Sequence, residues 1–365
     1  MASIELKDFY HTYDARMGKG ETSSFCIENL NIKWGDGKAI ALLGPSGCGK
    51  TTLLNAISGL IHPKGGSILF NGQDVTALST KERHVAQVFQ FPVVYDSMDV
   101  YGNLAFPLKN DRVPRNEIDR RVKEIAGILE IEDLLELPAG NLIPADKQKV
   151  SLGRGIIRPD TAAVLLDEPL TVIDPKLQWT LRRKLKQVQR QLGITMVYVT
   201  HDQHEALTFA DIVTIMSNDG KIAQTGTPEE IHNDPYTPFV GYFIGSPGMN
   251  IMECSITSTG FDFDDFAIPI PVGLNEQTLS AGDNYQFGIR PEFVQASMES
   301  RDGWLPFTIE IVEDTGAYKI TTLKAGKHKI KARIPEEMPV VENNPLWVHF
   351  PDKHIKLFQG NKRVF

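Results

Sequence analysis

A chain of 365 residues, 41% hydrophobic and 23% charged, has the composition of a folded protein large enough for two cores, which excludes a disordered or low-complexity binding segment. Its net charge of -8 leaves no basic footprint for nucleic acid or an anionic membrane surface, and no apolar run approaches the ~18 residues needed to cross a bilayer. Cys26, Cys48 and Cys254 lack metal-type spacing and read as reduced thiols.

The residues from Met1 to Asp8 lack the basic-then-apolar plan of a signal peptide, so the expectation is a chain that stays in the cytoplasm and reaches any membrane through a partner. Ala39 to Leu43 reads as a buried strand feeding a helix from Lys50 to Leu60. Between them, Gly44-Pro45-Ser46-Gly47-Cys48-Gly49-Lys50-Thr51 has the spacing of a phosphate-binding loop. Its glycines let backbone N–H groups close around phosphates, and the helix start adds a favourable dipole. Gly44, Ser46, Gly47, Cys48, Gly49, Lys50, Thr51 and Thr52 are therefore the expected nucleotide-binding residues, with Lys50 on the β- and γ-phosphates and the Thr51 hydroxyl on Mg²⁺. Pro114 to Leu137 is rich in Arg, Glu, Ile and Leu at helical spacing, an inserted helical subdomain within about residues 91–160.

Ala163 to Leu166 and Thr195 to Val199 are two further buried strands. The first runs into Asp167, placed to hold Mg²⁺ through water, and Glu168, placed to polarise an attacking water as general base. Pro235, Pro238, Gly245, Pro247 and Gly248 mark a linker. The expected architecture is an α/β phosphate-loop NTPase domain over residues 1–240, then a smaller all-β domain over 241–365. In the latter, Lys327, Lys329, Lys331 and Arg333 alternate with His328, Ile330, Ala332 and Ile334, giving either an anion contact or a solvated outer face.

With these motifs the chain resembles the ABC ATPases over nearly its whole length. Phe89-Gln90, followed by Met98, Val100 and Asn103 to Pro107, is similar to the Q-loop region, which implies that Gln90 reaches Mg²⁺ and the attacking water. Phe91, Val93, Val94 and Tyr95 would then either face the coupling helix of a membrane subunit or form a local apolar cluster. Leu170 to Pro175 is similar to the D-loop, with Asp174 the matching acid, and His201 matches the switch histidine that touches the γ-phosphate. Tyr13 stands where the family stacks an aromatic on adenine, with Tyr10 close enough to serve instead. Phe239 to Met249 and Gly288-Ile289-Arg290-Pro291-Glu292 resemble the OB-like accessory domain of carbohydrate-uptake ATPases, a dimer brace or a regulatory sensor. The resemblance implies ATP and Mg²⁺ as cofactors and two transmembrane permease subunits as partners. It also implies an indirect link to a substrate-binding protein, a peripheral position on the cytoplasmic face of the cell membrane, and import of a carbohydrate or a polyol such as glycerol.

One stretch departs from the family. Where ABC ATPases carry the signature Leu-Ser-Gly-Gly-Gln, which caps the γ-phosphate of ATP held by the opposite subunit, this chain has Leu142-Ile143-Pro144-Ala145-Asp146. Ile143 has no hydroxyl, Pro144 has no N–H, and Asp146 brings negative charge towards a polyanion. The expectation is a heterodimer, in which a different ATPase subunit supplies an intact signature to the site built on Lys50 and Glu168. The alternatives are a homodimer that tolerates the change and an ATP-binding regulatory subunit with little hydrolysis. A nucleic-acid-directed ATPase is disfavoured because acidic residues outnumber basic ones in residues 241–365.

Overall fold

Unbroken aliphatic runs need cover on both faces, and a parallel sheet flanked by helices supplies it. The computed structural model describes residues 2–13, 26–257, 260–271, 274 and 284–365. A first unit, Met1–Pro228, contains strands β1 (Ile4–His11), β2 (Ile27–Trp34), β3 (Ala39–Leu43), β4 (Gly65–Phe70), β5 (Gln73–Asp74), β6 (Val85–Val88), β7 (Ala163–Asp167), β8 (Met196–Thr200), β9 (Ile212–Met216) and β10 (Ile222–Gly226). Its helices are α1 (Lys50–Ser58), α2 (Val100–Asn110), α3 (Arg115–Leu129), α4 (Pro144–Ile156), α5 (Pro175–Leu192) and α6 (Gln203–Phe209). The main sheet runs β10-β9-β3-β8-β7-β6, parallel from β9 to β6 with β10 antiparallel at the edge. Every residue of β3, β7 and β8 is buried. An antiparallel sheet, β2-β1-β4-β5, shares a core with α1 and one face of the main sheet. Buried Trp34 joins the two sheets by donating its indole N–H to Thr214 Oγ1 at 3.0 Å.

The inserted helices α2, α3 and α4 pack on the opposite core. Within the segment from Pro114 to Leu137, read as part of a helical subdomain, α3 ends at Leu129, where Glu130 takes a left-handed conformation (φ 54°) and caps it, and a short 3₁₀ turn, Glu132–Leu134, follows.

The second unit, Glu229–Phe365, starts before residue 240, the expected boundary. The reason is Arg290, whose guanidinium donates to the main-chain oxygens of His232 and Ile244 and so holds 229–244 to the strands that follow. Helices α7 (Pro228–Asn233) and α8 (Pro238–Phe243) precede β11 (Asn250–Ile256), β12 (Gly260–Asp262), β13 (Ala267–Pro269), β14 (Tyr285–Ile289), β15 (Gln295–Ser297), β16 (Leu305–Asp314), β17 (Tyr318–Ala325), β18 (His328–Pro335), β19 (Pro345–His349), β20 (Lys356–Gln359) and β21 (Lys362–Arg363). They form two antiparallel sheets, β13-β12-β11-β14-β20-β21 and β15-β19-β16-β17-β18, around a core that includes Phe261, Phe287, Phe307 and Leu346. The basic stripe on β18 is a paired outer face. Lys327, Lys329 and Lys331 bond Asp264, Glu310 and Glu313, and Arg333 lies 3.8 Å over the Tyr318 ring.

The inserted helices approach closely at Gly153 of α4, where an added Cβ would lie 2.7 Å from Leu104 Cδ2 and 3.0 Å from Leu129 Cδ1. Gly153→Val should therefore overpack the helical subdomain and destabilise it by roughly 1–3 kcal/mol. Urea unfolding monitored by helical circular dichroism checks this; an unchanged midpoint would mean that α2 and α3 yield without cost.

Candidate nucleotide site

The site begins where β3 ends. Gly49 closes the loop in a left-handed conformation (φ 106°) that a side chain rarely adopts, and this turn lets Lys50 open α1. Lys50 is buried, its ammonium donating to Gly44 O at 2.7 Å and Pro45 O at 2.8 Å, so the charge is held inside the curve of the loop. Burial pushes the Cys48 thiol up, and that side chain serves as a packed hydrophobe behind the loop.

Thr51 Oγ1 donates to Asp167 Oδ1 at 3.2 Å, joining the start of α1 to the end of β7. Two hard oxygen donors side by side suit Mg²⁺ coordination. Burial, reinforced by the neighbouring Glu168 charge, raises the Asp167 carboxyl above the usual range, while the Thr51 hydrogen bond and Lys50 oppose the rise. Glu168 stands beyond the strand at φ 44°, pinned by its N–H to Val199 O at 3.0 Å and by the Thr171 hydroxyl on its own carbonyl at 3.1 Å. Its carboxylate Oε1 is 3.0 Å from His201 Nδ1. The expected base and the expected switch histidine are thus one hydrogen-bonded pair, brought together from the ends of β7 and β8.

Tyr13, Ser46, Gly47, Gly49, Lys50, Thr51, Thr52 and Glu168 line one groove of about 390 Å³. Tyr13 is 61% exposed there, its hydroxyl 3.2 Å from Thr52 Oγ1, whereas Tyr10 is buried in β1; of the two aromatics, only Tyr13 can offer a face to a ligand in this groove. Gly44, Cys48 and Asp167 stand behind the lining, and His201 meets the groove through Glu168. Gln90 is half-buried in the segment after β6 and does not line the groove. Asp174 caps α5, accepting from Lys176 N at 2.9 Å.

The divergent stretch Leu142-Ile143-Pro144-Ala145-Asp146 forms the start of α4. Ile143 is the residue before the first turn, 61% exposed and without a side-chain cap, Pro144 occupies the first helical position, and Asp146 pairs with Lys149 at 3.6 Å. Of the apolar residues after Gln90, Phe91 and Val93 face outward, while Val94 packs on the core. Tyr95 packs at 4.7 Å from Phe106, with Arg154 5.0 Å over its ring. Sequence reasoning passed over Gln148, fully buried in α4 and donating to Phe89 O at 3.4 Å, which ties α4 to the segment carrying Gln90. A lone amide on the buried face of an amphipathic helix was the available signal.

A lysine loop opening a helix, with a threonine hydroxyl against a strand-end aspartate, defines a phosphate-loop NTPase. The ABC transporter family matches residues 27–171, and the MalK OB fold domain matches residues 245–294. The chain is 38% identical to the trehalose/maltose import ATP-binding protein MalK of Thermococcus litoralis, with 98% of each chain covered. It is 37% identical to the sn-glycerol-3-phosphate import ATP-binding protein UgpC of Escherichia coli O157:H7, covering 99% of this chain and 98% of that one. Among solved structures, cbiO1 of Clostridium perfringens, part of the ABC transporter complex cbiONQ, aligns with a TM-score of 0.56 and 26% identity over 62% of this chain and 89% of the other. The chain belongs to the ATP-binding subunits of ABC transporters, ATPases coupled to transport, and carries a MalK-type OB accessory fold.

The raised Asp167 pKa sets a pH signature. The folded chain binds this proton more tightly than the unfolded chain, so the group's contribution to stability is full at acid pH and is lost as pH rises through the folded value. Asp167→Asn should raise the melting temperature of the nucleotide-free chain at pH 7, an advantage that shrinks below about pH 4, near the free carboxyl value, and it should cost ATP turnover. Melting curves at the two pH values check this; a lower melting temperature at pH 7 would mean that Thr51 and Lys50 outweigh desolvation.

Proposed function

We propose that this chain binds ATP with Mg²⁺ and hydrolyses it to drive an importer of a carbohydrate or polyol, working beside a second, different ATPase subunit. The observation that carries the reading is the Glu168–His201 pair at 3.0 Å on the rim of a groove lined by Lys50 and Thr51, with the divergent stretch at the start of α4. Lys50 and the N–H groups at the start of α1 hold phosphate oxygens, and Tyr13 stacks on the base. Thr51 and Asp167 would hold Mg²⁺, which when bound would neutralise charge developing on the transferred phosphoryl group, and Gln90, outside the groove lining, would reach the ion only by moving towards it. Glu168 takes the proton of the attacking water, and His201 orients Glu168 and reaches the γ-phosphate. Asp174 faces the opposite subunit from the start of α5.

The importer assignment draws on the printed roles of the relatives and on the accessory unit they share. Among the described residues no helix is long and apolar enough to cross a membrane. Coupling then runs through two transmembrane permeases, with Phe91 and Val93 as the outward apolar contacts and a substrate-binding protein beyond, and the chain sits at the cytoplasmic face of the membrane.

The heterodimer follows from what α4 can offer a partner's nucleotide. A start without a side-chain hydroxyl, with one N–H removed by Pro144 and a carboxylate at Asp146, is a poor cap for a γ-phosphate. The chain keeps its own hydrolytic groups and borrows a cap.

ATP turnover of the chain alone, and of the chain with its permeases and the candidate second ATPase, tests this. Turnover should appear in the mixture only and fall roughly 10²–10⁴-fold with Glu168→Gln. Restoring the signature with Ile143→Ser, Pro144→Gly, Ala145→Gly and Asp146→Gln should switch on turnover by the chain alone. Full-rate hydrolysis by the unaltered chain would sink the asymmetric pairing, and turnover indifferent to Glu168→Gln would sink the catalytic assignment.

A further inference from the structure

The accessory unit contains a cavity of about 350 Å³ that the nucleotide chemistry does not use. At its base lies Arg290, directly after β14 and 1% exposed. Its Nε donates to His232 O at 2.7 Å and its Nη1 donates to Ile244 O. Nη2 is buried with no hydrogen-bond partner among the described residues. Burial brings Arg290 down to about 10, so it stays charged at neutral pH, and Glu292, the nearest acid in sequence, is committed to His232 at 3.1 Å. A buried guanidinium with a free N–H edge is costly unless something anionic or a water meets it.

The rest of the lining favours an anion. Lys353 and Lys356 bring two more cations, against Asp234 as the one lining carboxylate. Asp234 is already shared by Lys356 at 2.9 Å and Arg363 at 2.8 Å. His354 lies flat on Phe293 with ring centroids 3.7 Å apart, and its pKa is lowered by burial and by the charges of Lys353 and Lys356. This is a local surplus of positive charge on a chain whose net charge is -8. Met249 and Phe293 supply an apolar wall, and the volume falls within the range of small-molecule pockets, beyond what an inorganic ion fills.

We propose that this cavity binds the phosphate group of a small phosphate monoester, with Arg290 and Lys353 on the oxygens and the organic body against Met249 and Phe293. The paired carboxylate and the fixed guanidinium make the site selective for a compact dianion over neutral polyols. The inference does not depend on how the nucleotide site is capped.

The test uses the full chain with the phosphate loop saturated by Mg·ADP, titrated with inorganic phosphate, with sn-glycerol 3-phosphate and with glycerol, followed by calorimetry and phosphorus NMR. The expected result is saturable binding of both phosphates, stronger for the monoester, and none of glycerol. Lys353→Glu, at an exposed position that leaves folding intact, should weaken the monoester about tenfold, the loss of one charge-assisted contact, with ADP affinity unchanged. Arg290→Lys should weaken it too if that chain folds; if it does not, the Lys353 result decides. No saturable binding, binding lost when ADP fills the loop, or equal binding by the Lys353→Glu chain would each overturn the proposal and leave Arg290 as a strut met by water.

Discussion

The in-register parallel pairing of β3, β8 and β7 is the constraint on which the site depends. Leu43 lies opposite Thr200, and Asp167 lies opposite Val199, so three strands end at one edge of the sheet. Each end then delivers one group: the loop to Lys50, Glu168 after Asp167, and His201 after Thr200. A slip of one residue would turn β7 over and carry Glu168 to the wrong face. The left-handed backbone at Glu168 costs on the order of 1–3 kcal/mol, and the bonds to Val199 and Thr171 hold it there. If Glu168 is the base, as proposed, these two bonds to its main chain orient it before a substrate arrives, which is where such strain helps.

Burial sets the electrostatics of the same edge. Asp167 sits low in the site, where desolvation works against its charge, while Glu168 at the rim is hydrogen-bonded to His201. A cation seated between Thr51 and Asp167 would relieve the first cost without disturbing the second pair. Folding therefore leaves a carboxylate that Thr51 and Lys50 compensate only in part, at the place where a cation would sit.

What was legible in the sequence was what is local. The loop from Gly44 to Thr51 and the Asp167-Glu168 strand end announce themselves because their geometry is set by neighbours in the chain. Assigning His201 needed the family resemblance, because its partner lies across a strand pairing that no local pattern encodes. Tyr13 was the expected aromatic with Tyr10 as the alternative, and it is the fold that separates them, β1 burying Tyr10 and leaving Tyr13 exposed beside Thr52. Gln148 offered only the signal of a lone amide on a buried helix face, and the role of Arg290 none, because each bonds main-chain oxygens far away in sequence. The stripe from Lys327 to Arg333 pointed outward as its period required, but its acidic partners sit on one other strand, β16, and at Asp264 in a turn, out of reach of a periodicity argument.

The start of α4 shows how a helix can be well formed and yet poor at binding. Proline at the first helical position and an acid in the first turn are both favourable to helix initiation, and Lys149 compensates Asp146 within the helix itself. Those same features use up the positive end of the dipole that a phosphate would need. A serine in place of Ile143 would be the better N-cap, and with glycines in place of Pro144 and Ala145 it would leave hydroxyl and N–H groups open to an incoming anion. In the proposed pairing, the stretch from Leu142 to Asp146 would give a neighbour's nucleotide a poor cap. Under that proposal the loss is tolerable only if the neighbour's site carries little of the hydrolysis, which is why the proposed pair is an unequal one.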